Sequence, residues 1–543
     1  MQYLDKKCWG LNVVVKLDMM KAFDRVSWPF LQAVLFKLGF PAMFVNVVMR
    51  NLEATKLSVL VNGVSCGFFQ PTRGVKQGDP LSPLLFILAS EALSRSLILK
   101  MGVGSLSPYA THLDCPVITH LAFADDIVIF VNGSSASLKA LADVLDLYQQ
   151  GSGQKINFHK SFFVTSRRCP TARGSNMSRI LGMQQSSLPF RYLGVSLFKG
   201  RNRPLYYQHL FEKVDTRLQS WQRKLLSPGG QLILIRHILS SIPLFTIASV
   251  LLPRQTERSL ETKFANFFWG VDNGKPKQHW ASWRKLCYPE DEGGLGIRSI
   301  DTIQKAASAK LLFNLLRGGS LWCDFLESLY LNRPSLAPSL TWKRMQQAHD
   351  FVDINVVYKG DLVVWSLAPY GDFTTASAYE ALRPKAGRSL SARCIWGDGV
   401  PSEISIFMWR LLRQFLPFPD VIQNFGVCLP SICPLCSNAS ADLSHCLLAC
   451  PVAQQVWRHF RNLFGLGNPT ADSIRVECHS WWLFAVSGSA TAWCANLIPS
   501  LALWTLWCSY NQGLHDGRAP PAVEIVRRVK RDLLAISTTR KLK

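Results

Sequence analysis

Hydrophobic and polar positions along this chain fall into a β-rich first part and a helical remainder. Val13-Val14-Val15 form the centre of a β-branched run, Asn12 to Leu17, that predicts a strand ending at Asp18. Ser27 then caps a predicted helix that runs to Gly39, with Phe30, Val34 and Leu38 on one face. Lys56 to Gly63 reads as a second strand and turn. Thr72 to Pro83 is a Gly/Pro-punctuated loop that feeds an apolar helix from about Leu81 to Leu99. Val117 to Phe123 and Ile127 to Val131 predict two strands separated only by Ala124, Asp125 and Asp126, a tight hairpin with carboxylates at its tip. Lys139 to Tyr148 is helical by period, and Gly151 to Ser161 is a basic loop leading into a strand. Beyond residue 205 the period is helical: Tyr206 to Lys224, Gly229 to Ser249 and Gln255 to Trp269. Residues 365 to 400 carry mixed signals, as a linker would, before Ile404, Phe407, Met408, Leu411, Leu412 and Phe415 recur at helical spacing.

Composition narrows the class. A chain of 543 residues has material for three or four folded units of about 150 residues each. With 48% hydrophobic and 18% charged residues it is neither disordered nor collagen-like. Lys and Arg number 60 against 36 acids, a formal charge of +24, which favours an anionic partner, nucleic acid before membrane. The excess is concentrated: residues 151 to 300 hold 23 basic and 8 acidic side chains, whereas residues 1 to 150 hold 13 and 11. That pattern suits a polyanion track beside a site with its own acidic chemistry; lysines and arginines on ordinary solvated helices are the alternative. Fifteen cysteines, most of them scattered, and an N-terminus without an apolar leader fit an intracellular, reducing compartment, nucleus and cytoplasm not being distinguished. Ser480 to Tyr510 has no charged residue, but Gly488 and Pro499 interrupt it, so a Trp-rich buried helix pair is expected there and no membrane partner.

Asp125 and Asp126 repel one another at a hairpin tip that would ordinarily carry Asn-Gly or Gly. A cation between such groups is expected, and Asp18, at the exit of another apolar strand, is the natural third member. Three carboxylates of this kind suit magnesium. Each piece alone is an ordinary turn or cap; their order and surroundings make them specific.

Lys16-Leu17-Asp18-Met19-Met20-Lys21-Ala22-Phe23-Asp24, then Gly74 to Phe86, then Phe123-Ala124-Asp125-Asp126 resemble the A, B and C motifs of reverse transcriptases. Gly153-Gln154-Lys155-Ile156-Asn157 with Lys160-Ser161 resembles motif D, and Phe190-Arg191-Tyr192-Leu193-Gly194-Val195 resembles motif E. The resemblance is to the polymerase of plant LINE-type non-LTR retrotransposons. It continues through Pro228-Gly229-Gly230, Phe267-Phe268-Trp269-Gly270 and Gly293-Gly294-Leu295-Gly296-Ile297.

The resemblance implies an α+β fold: a palm with an antiparallel sheet and helices over residues 1–200, without the family's fingers, and a mainly helical thumb or connection over 201–340. A linker or connection would follow at 341–400, a small zinc-binding helical domain at 401–465, and a Trp-rich helical tail with a basic end at 466–543. It implies RNA-directed DNA polymerase chemistry on an RNA template, a DNA primer and deoxynucleoside triphosphates. Asp18, Asp125 and Asp126 would hold two magnesium ions, and such pairs, about 3.5 to 4 Å apart, serve nucleotidyl transfer. Phe23 would stack under the incoming sugar and exclude a 2′-hydroxyl, and Gln77 and Gly78 would position nucleotide and template. Lys160, with Lys155 as the second candidate, would donate a proton to pyrophosphate, and Tyr192, Leu193 and Gly194 would hold the primer end. Asp24 is assigned to turn or cap hydrogen bonds.

In the family a fingers region precedes the first of these motifs and grips the triphosphate. Asp18 has seventeen residues before it, so weak or absent polymerisation is expected, as of a truncated copy. A non-catalytic nucleic-acid-binding protein derived from a retroelement is the alternative.

Cys433-x2-Cys436-x8-His445-x4-Cys450 offers three thiolates and an imidazole, the donor set of a closed tetrahedral zinc site. Cys428 and Cys446 lie nearby as packed thiols or alternate ligands, and buried free thiols without a metal are the other reading of the cluster. After Phe407-Met408-Trp409-Arg410, this spacing resembles the zinc-binding reverse transcriptase domain, which implies one structural zinc ion.

Overall fold

A computed structural model describes residues 2–218, 226–331, 338–397, 399–423, 426, 432–467, 473–484 and 490–541. Cys428, residues 219–224 of the helix expected at 206–224, and Gly488 lie outside the described residues. The chain forms two compact units, neither of them one continuous stretch. The first comprises 1–206, 249–251 and 308–366; the second comprises 207–248, 252–307 and 367–543.

The first unit is built on a five-stranded sheet. Its elements in chain order are β1 (Asn12–Asp18), α1 (Ala22–Arg25), α2 (Trp28–Lys37), α3 (Ala42–Glu53), β2 (Leu57–Val61), β3 (Val64–Phe69), α4 (Ser82–Gly102), β4 (His120–Phe123), β5 (Asp126–Asn132), α5 (Ser135–Ser152), β6 (Phe162–Thr165), α6 (Thr171–Leu181), β7 (Gln184–Ser186), β8 (Phe190–Tyr192) and β9 (Val195–Leu197). The sheet order is β4-β5-β1-β6-β7, antiparallel except for the β6/β7 edge. Successive side chains on a strand point to opposite faces. Val13, Val15 and Leu17 therefore join Ile127, Ile129 and Val131 in one core with residues of α2, α4 and α5. Val14, Val128 and Val164 cover the opposite face with Phe190 and Tyr109. On that second face the β1 series continues Val14, Lys16, Asp18, so it turns from apolar to charged at the strand's end.

Several boundaries differ from expectation. The second strand, β2, is followed by a return strand, β3, and every residue of this hairpin is exposed. β4 begins at His120 rather than Val117, and α5 extends to Ser135 and Ser152, its start capped by Ser134 accepting from Ser137 N. Ser27 makes no side-chain cap bond; its carbonyl instead accepts from Leu31 N. The run 229–249 is not one helix but Pro228–His237, a short 3-10 turn and Leu244–Ser249. Pro243 lacks the N–H a continuous helix would need there.

The second unit is mainly helical, with a short hairpin, Val271–Asp272 paired with Lys275–Pro276. Its Gly293–Ile297 segment works as a packing hub: Trp409 Nε1 donates to Gly293 O at 2.9 Å, and Arg236 Nε donates to Leu295 O at 2.7 Å. A methyl at Gly294 would strike the Tyr288 carbonyl. The segment thereby ties helix Pro228–His237 to helix Ser402–Leu411. Within 365–400, Thr375–Leu382 and Leu390–Ile395 are helices. Helices Ile474–Phe484 and Ala490–Asp516 pack as a pair, and most of the second is buried, Leu501, Ala502, Leu503 and Leu506 fully so. Among the described residues one helical run, Pro228–Ser249, is long and apolar enough by length and hydropathy to cross a membrane.

Candidate active site and zinc centre

Asp18 and Asp126 are cross-strand partners at the end of the β1/β5 ladder. Asp125 sits in the β4–β5 turn, where Ala124 takes a positive φ of 51°, and its carbonyl accepts from Met19 N at 3.4 Å. The strand exit and the hairpin tip thus meet through backbone, with no apolar layer between them. Two lysines face these carboxylates. Lys16 Nζ lies 2.8 Å from Asp126 Oδ1, and Lys160 Nζ lies 3.9 Å from Asp18 Oδ2. Lys16 was not singled out by sequence reasoning, although its place two residues before Asp18 put it on the same face.

The segment 153–161 is fastened along the end of β1. Met20 N donates to Lys155 O, Asn157 N donates to Asp18 O, both at 2.8 Å, and Ser161 Oγ accepts from Asp18 N at 3.0 Å. Those bonds bring Lys160 to Asp18; Lys155 contributes its backbone here, and its side chain lines a separate shallow depression with Arg25 and Gln149.

Phe23 stacks on Phe86, ring centroids 4.9 Å apart and planes 10° from parallel, which joins α1 to α4. Gly74 N donates to Val26 O and Val75 N to Phe23 O, so the 72–80 loop lies on the backbone of α1. Gly74 has a φ of +88°, and a Cβ there would come 2.8 Å from Asp24 O. Gln77 Nε2 donates to Asp24 Oδ1 at 3.2 Å, a contact to the distant loop rather than the turn or cap hydrogen bond expected of Asp24. Gly78, φ +91°, has open space around it. A cleft of about 850 Å³ runs along this loop, lined among others by Trp28, Arg73, Lys76 and Gln77. Leu193 and Gly194, both at positive φ, form the two-residue turn joining β8 to β9. Burial, and then the nearby Asp126 charge, push the Tyr192 hydroxyl up, which puts this turn within electrostatic reach of the carboxylates.

The cysteine cluster closes more tightly. One donor atom each from Cys433, Cys436, His445 and Cys450 lies within 4.8 Å of the other three; among the described residues this is the only group of three or more such side chains drawn that close. The aspartates at the hairpin are more loosely gathered. Cys436 Sγ and His445 Nε2 are 3.3 Å apart. Cys433 N donates to Ala439 O, Cys450 N to His445 O and His445 N to Asp442 Oδ1, each at 2.7 Å, so the knuckle is held by its own backbone. Cys450 also begins helix Pro451–Leu463, in which the fully buried Trp457 donates to Leu447 O at 2.9 Å. Cys446 is not in the quartet; its thiol donates to Cys433 Sγ at 3.6 Å. With Cys450 it pushes the Cys433 thiol down, while both donors are pushed up. Three sulfurs and one imidazole nitrogen at these separations fit zinc.

These two centres define a class. Residues 3–197 match the family described as reverse transcriptase (RNA-dependent DNA polymerase), and residues 373–457 match the family described as zinc-binding in reverse transcriptase. The chain therefore carries a reverse transcriptase domain followed by a zinc-binding reverse transcriptase domain, and its relatives, among them proteins of retrotransposable elements, are consistent with a LINE-type reverse transcriptase. It is 31% identical over 237 residues to a retrovirus-related Pol polyprotein from a type-2 retrotransposable element of Drosophila melanogaster, covering 42% of this chain and 21% of that protein. It is 26% identical over 329 residues to an uncharacterized protein of transposon TX1 of Xenopus laevis, covering 59% and 24%. A protein of Arabidopsis thaliana, provisionally named a ribonuclease H protein, is 23% identical over 341 residues, covering 46% and 55%. The chain thus spans about half or less of the length of these relatives.

Proposed function

We propose that this chain contributes the polymerase centre of a non-LTR retroelement, copying an RNA template onto a DNA primer from deoxynucleoside triphosphates. The observation that carries the reading is the pairing of Asp18 with Asp126 beside the Asp125 turn. In this proposal residues 1–200 are the palm and the following helices the thumb.

Divalent ions, read as magnesium, would be held by Asp18, Asp125 and Asp126, and when bound they supply charge neutralisation for an attacking hydroxyl and a leaving pyrophosphate. The chain's own groups do the rest. Phe23, stacked on Phe86, offers a flat wall for the sugar. Gln77, with the open backbone at Gly78 beside it, would position nucleotide and template along the 850 Å³ cleft, where Arg73 and Lys76 would meet phosphates. The Tyr192–Gly194 turn braces the primer end. Lys160, exposed and 3.9 Å from Asp18, is placed to give its Nζ proton to the departing pyrophosphate. Zinc at Cys433, Cys436, His445 and Cys450 is structural in this reading, holding the start of helix Pro451–Leu463.

Primer extension on an RNA template with magnesium or manganese tests this. Template-directed addition is expected, lost on Asp125→Asn or Asp18→Asn with RNA affinity unchanged. Synthesis that survives Asp125→Asn would overturn the assignment, and RNA binding with no metal-dependent synthesis would favour a binding protein in which the palm is scaffold.

A further inference from the structure

The zinc centre is followed at once by a surface that neither the palm chemistry nor the metal explains. Helix Pro451–Leu463 starts at the ligand Cys450 and packs against the C-terminal helix Ala522–Lys541. From Leu443 to Ala471 the sequence contains no Asp or Glu. On the first helix Gln454, Arg458 and Asn462 recur every four residues and are all exposed, while Val456, Trp457 and Phe460 are buried. On the second, Ile525 and Val529 face inward, and Arg527, Lys530 and Arg531 lie on the solvent face at the spacing of one helical stripe.

These cations are poorly used within the fold. Arg527 and Arg531 have side chains 75% and 74% exposed; their nearest acids, Glu524 at 4.0 Å and Asp532 at 3.4 Å, are neighbours on the same helix. Lys530 and Arg458 have no ion-pair partner among the described residues. Arg528 differs, since it is fixed by Glu524 at 3.2 Å and Gln512 at 3.1 Å and so serves the packing. The two helices present one surface: burial and then the Lys530 charge lower the pKa of His459, the residue beside Arg458.

We propose that the solvent faces of helices 451–463 and 522–541 form a phosphate-tracking surface for single-stranded nucleic acid, with Arg458, Arg527, Lys530 and Arg531 as its cations. Gln454 and Asn462 flank it with neutral hydrogen-bonding groups suited to sugars and base edges, which favours a nucleic-acid strand over a lipid surface. The large apolar side chains exposed on these two helices are Leu463, Val523 and Leu534, too few for the continuous apolar face that insertion into a bilayer needs. The zinc site enters as a brace. It fixes Cys450, and with it the first turn of the helix that carries Arg458. The choice of nucleic acid as partner rests on the polymerase reading above.

The test is the salt dependence of RNA affinity, measured on the zinc-loaded full chain by fluorescence anisotropy with a single-stranded oligoribonucleotide. For single strands, the slope of log affinity against log salt is about 0.7 per phosphate contacted. Replacing all four cations (Arg458→Gln, Arg527→Gln, Lys530→Gln, Arg531→Gln) is expected to flatten the slope by about 2 to 3 and weaken binding at moderate salt on the order of tenfold. A charge-keeping set (Arg458→Lys, Arg527→Lys, Arg531→Lys) is expected to retain the slope, which separates loss of charge from loss of fold. An unchanged slope in the Gln variant, with zinc content and helicity intact, overturns the proposal while leaving the polymerase reading standing. Failure of the unmodified chain to bind RNA overturns both. Cation-dependent binding to phosphatidylserine vesicles, together with an unchanged RNA slope, overturns it in favour of a membrane surface.

Discussion

Lys16 Nζ sits 2.8 Å from Asp126 Oδ1, reaching diagonally across the β1/β5 ladder to the carboxylate opposite Asp18. The lysine supplies the positive charge that the clustered acids demand and competes with a divalent ion for the same oxygen. Lys16→Met is therefore expected to destabilise the protein by about 1 kcal/mol at low salt without divalent ions, because three carboxylates then face one another with one lysine fewer. Magnesium should restore more stability to the variant than to the unmodified chain. Thermal unfolding with and without magnesium checks both statements.

The cysteine quartet makes a second prediction. One zinc per chain is expected, and Cys436→Ser should reduce the stoichiometry to well below one. Because Cys450 begins helix Pro451–Leu463 and Trp457 is locked to Leu447, metal removal should loosen more than the knuckle. Amide exchange across 433–463 is expected to accelerate on chelation, while exchange in β1 and β5 stays unchanged.

Glu261 predicts a pH dependence. Burial, then the charges of Glu257 and Asp301, push its carboxyl up to about 7, with Arg258 opposing. A carboxyl raised by folding favours the protonated form in the native state, so its contribution is fully present below the ordinary carboxylate range and is lost as pH rises through about 7. Glu261→Gln should accordingly stabilise the chain at pH 8 by on the order of 1 to 2 kcal/mol and change little at pH 5. Urea midpoints at the two pH values decide it.

Gly294 is a position where a methyl group has no room, since the Tyr288 carbonyl occupies its place. Gly294→Ala should cost about 1 to 3 kcal/mol or more through overpacking. Gly274, with nothing around it but a φ of +77°, should cost less on the same change. Denaturant unfolding of the two variants gives the comparison.

Much of this site was legible in the sequence because its signals are local. A β-branched run ending in Asp18, and two apolar strands interrupted only by Ala124-Asp125-Asp126, specify their own geometry, and the Cys433 to Cys450 spacing specifies a knuckle. What was not legible depends on distant partners. Lys16 acquires a role only when β5 pairs beside β1, and Ser161 only when its hydroxyl meets Asp18 N. The return of residues 308–366 to the first unit rests on contacts such as Tyr330 Oη donating to Gln2 Oε1 at 3.0 Å, which no periodicity encodes. The break at Ile242-Pro243 was written in the proline, but the apolar period on both sides masked it.

In the proposed polymerase centre Asp18 and the 125–126 pair share divalent ions, and iron-mediated cleavage reads that directly. Ferrous ion replacing magnesium, with ascorbate and peroxide, should cut the backbone in two places distant in sequence, beside Asp18 and beside Asp125. Excess magnesium should suppress both cuts, and Asp125→Asn should abolish them together. Cleavage confined to the 433–450 knuckle, or cuts near Asp18 that persist in Asp125→Asn, would contradict it.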